Sequence, residues 1–241
     1  MLGQAMAEIH VLEQNRPKDF PKFLTCAIRP SGIFGAGDML ATPRIMQAYY
    51  KGQTKFQLGN NDNLFDWTEV TNVAHAHHLA AAALLTTRER EDQGKAIPLD
   101  TEKVDGEAFL ITNDQSCFFW DFSRMIWRAC GDTTKPSQVW ILSREFGMLL
   151  AAVFEWVYWI AQWGQPNLTR QVIRYSAMTR YFNIDKAKRR LGYRPVINLE
   201  DGVNRGVAHL IRTGQVENMP ESVKGNVPEH LKKYVEEKKT Q

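Results

Sequence analysis

A short loop that follows an apolar segment is the first place where this sequence could do chemistry. Residues 23–28 (FLTCAI) are almost continuously apolar, which predicts a parallel strand covered on both faces. The loop at residues 29–35 (RPSGIFG) follows, and its glycines let the backbone come close to a bound ligand. We do not predict a nucleophile at Ser31, because no Gly-x-Ser-x-Gly motif surrounds it. The loop is expected to contact a cofactor or other backbone groups.

Two further groups of side chains are of types that bind metals or transfer protons. His75, His77 and His78 lie close in sequence, but no carboxylate or cysteine stands at ligand spacing from them. We therefore predict no metal site. Tyr49 and Tyr50 are expected to pack on a helix, while a role as a displaced catalytic phenol stays open from the sequence.

Composition indicates a globular protein. The 241 residues are 44% hydrophobic, which is enough for one substantial core. Thirty Lys and Arg oppose 27 Asp and Glu and are not gathered into a stripe, so no nucleic-acid surface is predicted. The chain has an odd number of cysteines, Cys26, Cys117 and Cys130, and they form no Cys-x-x-Cys pair. This pattern argues against a disulfide framework or a zinc site, and it favours a reducing compartment.

Apolar segments and helical patterns alternate along the chain. Strands are predicted at residues 23–28, 55–58 and 109–112, and helices at 5–15, 42–51, 73–86 and from Ser116 to Gly131. Thr42 and Asn72 have the side chains of helix N-caps. The alternation predicts βαβ units and a largely parallel sheet with helices on its faces.

One predicted helix, at about residues 146–163, is unusually apolar. Glu155 is its one charged residue, and Trp156, Trp159 and Trp163 recur at helical spacing on one side. Such aromatic residues favour the boundary between lipid headgroups and acyl chains. Three interpretations stay open: an interfacial helix, a core or substrate-lid helix, or a membrane span close to the minimum length.

The ends of the chain differ from its middle. The first helix begins almost at residue 1 with no strand before it, so we expect the natural domain boundary to lie upstream. From residue 214 the sequence becomes charged and is interrupted by proline. We interpret residues 1–213 as one partial domain and residues 214–241 as a charged mobile tail with a weak helix near Glu229.

Four segments match, in order, the second half of extended short-chain dehydrogenases. Residues 25–35 resemble the strand and loop beside the nicotinamide, and residues 67–77 resemble a Val-x-Asn-Val-Ala helix start. Residues 175–182 and 185–195 resemble the late substrate-domain signature. Over about residues 5–213 the chain resembles the branch that contains 3β-hydroxysteroid dehydrogenases and decarboxylating sterol-4α-carboxylate 3-dehydrogenases.

The resemblance implies an α/β fold, namely the C-terminal portion of a Rossmann-like parallel sheet with a small substrate subdomain and without the N-terminal dinucleotide-binding half. It implies NAD(P)-dependent oxidation of the 3β-hydroxyl of a sterol or triterpenoid, with decarboxylation of a 4α-carboxysterol. No metal is needed. The residues implied to contact the nicotinamide end are Pro30, Ser31, Gly32 and Ile33, and those nearer the sterol are Phe34 and Arg44.

The sequence departs from the family where the family's catalytic pair should stand. When residues 5–12 are aligned with the helix after the Tyr-x-x-x-Lys motif, the Lys position falls on Gln4 and the Tyr position before Met1. The glycine fingerprint that binds the pyrophosphate is not found either. We therefore predict no catalytic residue in this chain. An alternative function is a truncated, inactive relative that acts as a sterol-binding or scaffold subunit.

The same resemblance implies partners and a location. The expected ligands are NAD or NADP, with the choice left open, and a sterol or triterpenoid substrate. The expected location is the cytosolic face of the endoplasmic reticulum membrane, with the Trp-rich helix against the membrane surface. A homodimer or a sterol-demethylation complex is expected, and no nucleic acid.

Overall fold

A computed structural model describes residues 2–164, 166 and 168–236 of the chain. The helices are α1 Leu2–Glu13, α2 Ala41–Tyr50, α3 Val70–Asp92, α4 Phe119–Ala129, α5 Arg144–Ala161, α6 Arg170–Ser176, α7 Asp185–Arg190, α8 Leu199–Thr213 and α9 Glu229–Glu236. The strands are β1 Ala27–Pro30, β2 Gly32–Phe34, β3 Phe56–Leu58, β4 Leu64–Phe65, β5 Trp67–Glu69, β6 Ala108–Ile111, β7 Cys117–Phe118 and β8 Trp140–Leu142. A single 3-10 turn precedes β8.

The chain divides into two compact units, and each brings together distant parts of the sequence. Unit 1 consists of Met1–Ile33, Asp66–Gln115 and Phe182–Leu199. Unit 2 consists of Phe34–Phe65, Ser116–Tyr181 and Glu200–Gln241.

Unit 1 is built around a parallel pair of strands. Strands β1 and β6 run side by side from Ala27 opposite Ala108 to Pro30 opposite Ile111. Phe109 and Ile111 of β6 are fully buried and pack against the small alanines of α3 and against Tyr193. Ala76 and Ala80 on the inner face of α3 let this long helix pack closely on the larger side chains of the core.

The first strand differs from its prediction. It begins at Ala27 rather than at residue 23, because Phe23 lies in a turn where its carbonyl accepts from the backbone N–H of Arg16 at 2.8 Å. The Phe23 side chain is exposed. Residues of β1 are half-buried or exposed, so a strand covered fully on both faces was a wrong prediction for this segment.

Unit 2 contains two further strand pairs and most of the helices. Strand β3 pairs in parallel with β8, and β4 pairs antiparallel with β7. Phe34 and Phe122 pack edge to face in the core, with ring centroids 5.0 Å apart. The indole N–H of Trp127 donates to the Ile45 carbonyl at 2.7 Å, which fixes α4 against α2.

The prediction of one largely parallel sheet is only partly confirmed. In the described part of the chain the strands form four separate pairings, β1–β6, β2–β5, β3–β8 and β4–β7, and one of these is antiparallel. Each strand is two to four residues long. Strands this short give few ladder bonds, so side-chain packing and side-chain hydrogen bonds hold the elements in place.

Two helix caps also differ from their predictions. Thr42 lies inside α2, and the carboxylate of Asp38 accepts from the backbone N–H groups of Leu40, Ala41 and Thr42 instead. Helix α3 begins before Asn72, with Glu69 as its N-cap accepting from the Thr71 N–H at 2.6 Å. Both caps are carboxylates, which suit the positive end of a helix dipole.

The Trp-rich segment forms a helix where the pattern predicts one. Ser143 caps α5 by accepting from the Phe146 N–H, and only Gly147 and Ala151 among its residues are buried. The three tryptophans of the segment are largely exposed. Among the helices of the described residues, none has the length and apolar character needed to cross a membrane.

The C-terminal segment contributes to the core of unit 2. A helix, α9, starts at Glu229 where the sequence predicts a weak one. Val216, Met219 and Leu231 are buried, which is more packing than a charged mobile tail implies. The boundary at residue 213 and the mobility of residues 214–241 stay predictions.

We expect Tyr193→Phe to destabilise unit 1 by about 1–2 kcal/mol, because the buried Tyr193 hydroxyl donates to the Thr112 carbonyl at 2.9 Å and its loss leaves that carbonyl unpaired. Tyr181→Phe is the matched control, since Tyr181 is exposed, and it should leave stability unchanged. Urea unfolding of the two variants measures the difference. Equal midpoints for both would contradict the role of the Tyr193 hydroxyl.

Glu107→Gln should lower stability at neutral pH by less than about 1 kcal/mol, because Glu107 makes half-exposed ion pairs with Lys186 and Arg190. Hydrogen bonding from Lys186 lowers the pKa of Glu107. Its contribution is therefore present above the unfolded pKa, about 4.3, and is lost as the pH falls through the folded value. Thermal unfolding from pH 7 into acid should show the gap closing, whereas the exposed control Glu89→Gln should show no gap at any pH.

Candidate active site

The candidate site is the edge of unit 1 at which β1 and β6 end together. Pro30 and Ile111 are the last paired residues of the two parallel strands. On one side the chain continues into residues 31–33, which are Ser31 and the first two residues of β2 and are called the loop at residues 31–33 below; the predicted loop at residues 29–35 is therefore partly strand. On the other side it continues into Thr112. Ligands of open α/β folds bind at the carboxyl ends of parallel strands. The geometry therefore places the glycine-containing loop at the edge where such a fold binds its ligand.

Ser31 is held by bonds inside the protein. Its N–H donates to the Ile111 carbonyl at 3.0 Å and to the Thr68 hydroxyl at 3.2 Å, and its own hydroxyl donates to the Asp66 carbonyl. The residue is 5% exposed. The Ser31 hydroxyl thus fixes the loop to the residue before β5, and its N–H fixes the loop to Thr68 of β5. The predicted cofactor contact of Ser31 stays a prediction, and it would have to use another atom of the residue.

The other predicted residues lie in both units. In unit 1, Pro30 and Gly32 are half-buried and the Ile33 side chain is 46% exposed, so this loop offers an apolar contact surface. In unit 2, Phe34 is buried against Phe122 and has almost no surface to offer a ligand. Arg44 is exposed on the first turns of α2. The predicted sterol contacts of Phe34 and Arg44 stay predictions.

Two buried side-chain amides, Asn72 and Asn113, connect the segments that meet at this edge of unit 1. The Asn113 side-chain oxygen accepts from the Glu69 N–H and from the Asn72 side chain, each at 2.8 Å. Both amide groups also donate to the Ile197 carbonyl, at 2.7 Å from Asn72 and 3.1 Å from Asn113. These bonds join β5, α3, the segment after β6 and the segment before α8. The Val-x-Asn-Val-Ala motif at residues 70–74 therefore marks a packing junction.

Asp66 is a second junction that the sequence did not reveal. Its carbonyl receives the Ser31 hydroxyl, and its carboxylate accepts from the Phe182 N–H at 2.8 Å. The side chain is almost fully buried. Asp66 thereby connects the loop after β1 to the segment before α7. The one local signal in the sequence for Asp66 is its position directly before Trp67, at the start of a strand.

The surroundings of Tyr49 and Tyr50, and of Tyr175 in the same unit, do not favour a displaced catalytic phenol. Burial raises the pKa of Tyr49, of Tyr50 and of Tyr175. For Tyr50, the neighbouring Cys130 raises the pKa further. A phenolate base needs the opposite net shift, and although Arg180 lowers the pKa of Tyr175, burial outweighs it. These tyrosines are packing residues of unit 2.

One Tyr-x-x-x-Lys spacing occurs in the chain, at Tyr234 and Lys238, far from the position at which the family's catalytic pair aligns. Tyr234 donates its hydroxyl proton to the carboxylate of Asp201 at 2.8 Å and accepts from the Asn204 amide at 3.3 Å. Lys238 lies outside the described residues. The Tyr234 hydroxyl is engaged in connecting α9 to α8, which is a packing role.

The three histidines of α3 do not converge. The His77 ring lies 2.8 Å from the Val73 carbonyl through Nδ1, and the His75 ring lies near Tyr193 at a centroid distance of 6.2 Å. His78 is exposed. Within residues 2–164, 166 and 168–236, no cluster of three His, Cys, Asp or Glu side chains could hold a metal ion.

Comparison with known proteins places this arrangement in a family. The sequence model of the 3-beta hydroxysteroid dehydrogenase/isomerase family matches residues 2–144, more than half of the chain. The chain belongs to that family. The match includes the loop at residues 31–33, the Asn72 and Asn113 junction and both strands of the parallel pair.

Curated relatives in this family are sterol-4-alpha-carboxylate 3-dehydrogenases, decarboxylating. The Saccharomyces cerevisiae protein is 40% identical over 207 residues, which cover 86% of this chain and 55% of the yeast protein. The Mus musculus protein is 36% identical over 203 residues, which cover 84% of this chain and 51% of the mouse protein. The chain thus spans about half the length of the curated relatives it matches.

Solved structures show the same fold at lower identity. The crystal structure of gox2253 has a TM-score of 0.56 and is 23% identical, with 88% of this chain and 55% of that chain covered. The Bordetella bronchiseptica enzyme WbmF, solved in complex with NAD+ and UDP, has a TM-score of 0.52 and is 14% identical, with 97% of this chain and 55% of that chain covered. The family member described here therefore shares an α/β fold with these two proteins.

Asn72→Asp tests the amide junction with almost no change in side-chain shape. The new carboxylate would face the Ile197 carbonyl and the Asn113 oxygen, two acceptors that now receive the Asn72 amide protons. We expect a loss of about 2–4 kcal/mol at neutral pH. Since the buried carboxyl would have a raised pKa, its protonated form would restore a donor, and the loss should shrink as the pH falls towards about 4.

Chemical unfolding at two pH values measures this effect, with the exposed Asn60→Asp as the matched control. The control should stay within a few tenths of a kcal/mol of the unaltered protein at both pH values. A destabilisation of Asn72→Asp that is independent of pH would show that the amide donors of Asn72 are not what matters.

Proposed function

We propose that this protein takes part in NAD(P)-dependent oxidation of the 3β-hydroxyl of a sterol or triterpenoid, followed by loss of a 4α-carboxylate. The observation that carries the proposal is the family membership, together with curated relatives, 36–40% identical, that are decarboxylating sterol-4-alpha-carboxylate 3-dehydrogenases. The exposed loop at the carboxyl edge of the parallel pair supports it, because that edge is where a nicotinamide would bind.

The proposed reaction has two steps. In the first, the C3 hydroxyl proton passes to a base and the C3 hydrogen leaves with its electron pair to an acceptor. The nicotinamide of the bound cofactor supplies that acceptor. In the second, the C3 ketone makes the C4 carboxylate a β-keto acid, so the bond from C4 to the carboxylate breaks, carbon dioxide leaves and the electron pair passes into an enolate. Protonation at C4 then gives the ketone.

Three of the four residues expected at the nicotinamide end of the cofactor have surface that suits it. Pro30, Gly32 and Ile33 offer a half-exposed apolar edge against which a flat ring can pack, whereas the Ser31 hydroxyl is engaged with Asp66. In unit 2, the exposed guanidinium of Arg44 has the charge and planar geometry that suit a sterol carboxylate. We assign Arg44 this role in substrate binding.

A second candidate function is a non-catalytic, sterol-binding or scaffold subunit. The residue that favours it is Gln4, which stands at the aligned position of the catalytic lysine and has no positive charge to stabilise a phenolate. Under this alternative the chain binds a sterol and does not turn it over.

The location proposed for either function is the cytosolic face of the endoplasmic reticulum, where its relatives' hydrophobic substrates would dissolve. A homodimer or a complex with other enzymes of sterol demethylation is the proposed assembly. Co-purification of the tagged native protein from gently solubilised membranes tests both proposals.

Activity is tested on the protein purified from its native source and on the 241-residue chain in parallel, each mixed with a 4α-carboxy-3β-hydroxysterol and either NAD+ or NADP+. We expect the native protein to form reduced nicotinamide and carbon dioxide in equal amounts. Sterol binding without turnover by both preparations would support the non-catalytic subunit instead. No binding and no turnover would contradict both functions.

Gly32→Val tests whether the loop at residues 31–33 contacts the nucleotide, in whichever of the two preparations is active. Because Gly32 lies in strand β2, where a β-branched residue is well accommodated, the fold should tolerate it. The added side chain should obstruct the nucleotide and raise its KM by about tenfold, with less effect on the sterol KM. Leu99→Val, at a 69% exposed side chain of unit 1 outside this loop, is the control and should stay within about twofold. Equal effects on both KM values would contradict a position beside the nicotinamide.

A further inference from the structure

Unit 1 carries a surface cavity between α7 and the segment before β6. Its volume is about 460 Å³, which lies in the range of small-molecule sites. Three of its four lining residues are basic and the fourth has a hydroxyl; they are Lys186, Arg189, Arg190 and Thr101. This space is called the basic cavity below. Its size and its cationic walls suit a small anionic ligand.

Helix α7 brings the three cations together through their spacing. Lys186, Arg189 and Arg190 stand at positions i, i+3 and i+4, which are neighbours on the surface of a helix. Ala187 and Leu191 are buried in the core of unit 1 and fix the orientation of the helix. The helix dipole favours cations in the last turn, but it does not favour Lys186 in the first. Like charges at this spacing repel each other, and a bound anion would relieve the repulsion.

Glu107 neutralises part of the charge and orders two of the cations. Its carboxylate lies 2.6 Å from the Lys186 ammonium and 3.2 Å from the Arg190 guanidinium. Arg190 also donates to the Lys103 carbonyl at 2.9 Å, and Lys186 donates to the Ala108 carbonyl at 2.8 Å. These bonds hold both side chains at the cavity wall, so little entropy is left to lose when a ligand binds.

Arg189, the third cation, has no such partner. It is exposed, and within the part of the chain that the structure describes it makes no ion pair and no side-chain hydrogen bond. Asp100 and Glu102 flank Thr101 in the sequence, but neither lines the cavity. Three positive charges and the one negative charge of Glu107 give +2 at the cavity. This charge complements a phosphate monoester, which carries about −2 near neutral pH.

We propose that the basic cavity binds the phosphate group of a small phosphate monoester. In this site the Arg189 guanidinium donates two parallel hydrogen bonds to phosphate oxygens, a geometry that matches its planar fork. Lys186 and Arg190 add positive charge, and the Thr101 hydroxyl donates a further hydrogen bond. The cavity is larger than one phosphate ion, so it also has space for the organic part of the ligand.

The basic cavity lies at the opposite end of the parallel strands from the candidate active site. Lys186 reaches the Ala108 carbonyl, and Ala108 is the first residue of β6. The loop at residues 31–33 stands beyond Pro30 and Ile111, the last paired residues of both strands. A ligand in the basic cavity therefore leaves the position proposed for the nicotinamide open. The proposal does not depend on the proposed enzyme activity.

A phosphorus NMR titration tests the basic cavity, with glycerol 3-phosphate as the probe and the full chain at low ionic strength. We expect saturable binding that added sodium chloride weakens. Arg189→Gln should weaken binding by about tenfold, because a charge-assisted bidentate contact is lost. The matched control is Arg90→Gln, at an exposed arginine in the last turn of α3 in the same unit, and it should bind as the unaltered chain does.

Glu107→Gln gives a second readout with the opposite sign. It removes the carboxylate that competes with the phosphate for Lys186 and Arg190, so binding should tighten severalfold although the folded state loses stability. Thr101→Val removes a donor at an exposed position and should weaken binding severalfold. Weaker binding by Glu107→Gln would contradict the placement of the phosphate beside these two cations.

Vesicles of phosphatidylcholine with and without phosphatidic acid form the second arm, because phosphatidic acid presents the same phosphate monoester on a lipid. Binding of glycerol 3-phosphate that depends on Arg189 supports a soluble ligand. Binding that depends on Arg189 and is confined to vesicles with phosphatidic acid assigns the phosphate group to a lipid. Binding of neither probe, or equal binding by Arg189→Gln and the unaltered chain, would overturn the proposal.

Discussion

The hydrogen bonds between Asn72 and Asn113 are the interaction on which the candidate site most depends. The two amides satisfy the Glu69 N–H and the Ile197 carbonyl, which belong to segments more than 100 residues apart in the chain. An amide carries both donors and acceptors, so it can serve backbone groups of either kind at a crowded junction. An apolar residue at either position would leave several buried backbone groups without partners, and each would cost more than its hydrogen bond contributes.

Internal hydrogen bonds also fix the loop beside this junction. Because the Ser31 hydroxyl donates to the Asp66 carbonyl, the loop is already ordered in the absence of a ligand. The entropic cost of ordering it therefore does not reduce the free energy of ligand binding. What remains exposed is the Ile33 side chain and nearby backbone. A surface of this kind recognises shape and apolar area.

Local patterns predicted the elements well and their connections poorly. The helix at residues 146–163 and the strand at 55–58 were recovered almost to the residue, because periodicity and apolar runs are properties of neighbouring positions. Asn72 was interpreted as a helix cap, since a cap is the commonest local use of Asn, but its partners Asn113 and Ile197 are distant in sequence. For the same reason Ser31 could be placed at the site edge while its internal partner could not be foreseen.

The two sides of α5 are subject to different evolutionary constraints. On the inner side, Gly147 faces the Leu58 methyl group at a distance that leaves little room for a larger residue, so size is what selection can act on there. On the outer side, Trp159 is 75% exposed and little protein surrounds its ring, so one large apolar residue can replace another there while its apolar character must be kept. Homologues should therefore diverge freely in shape along one face of a single helix and hardly at all along the other.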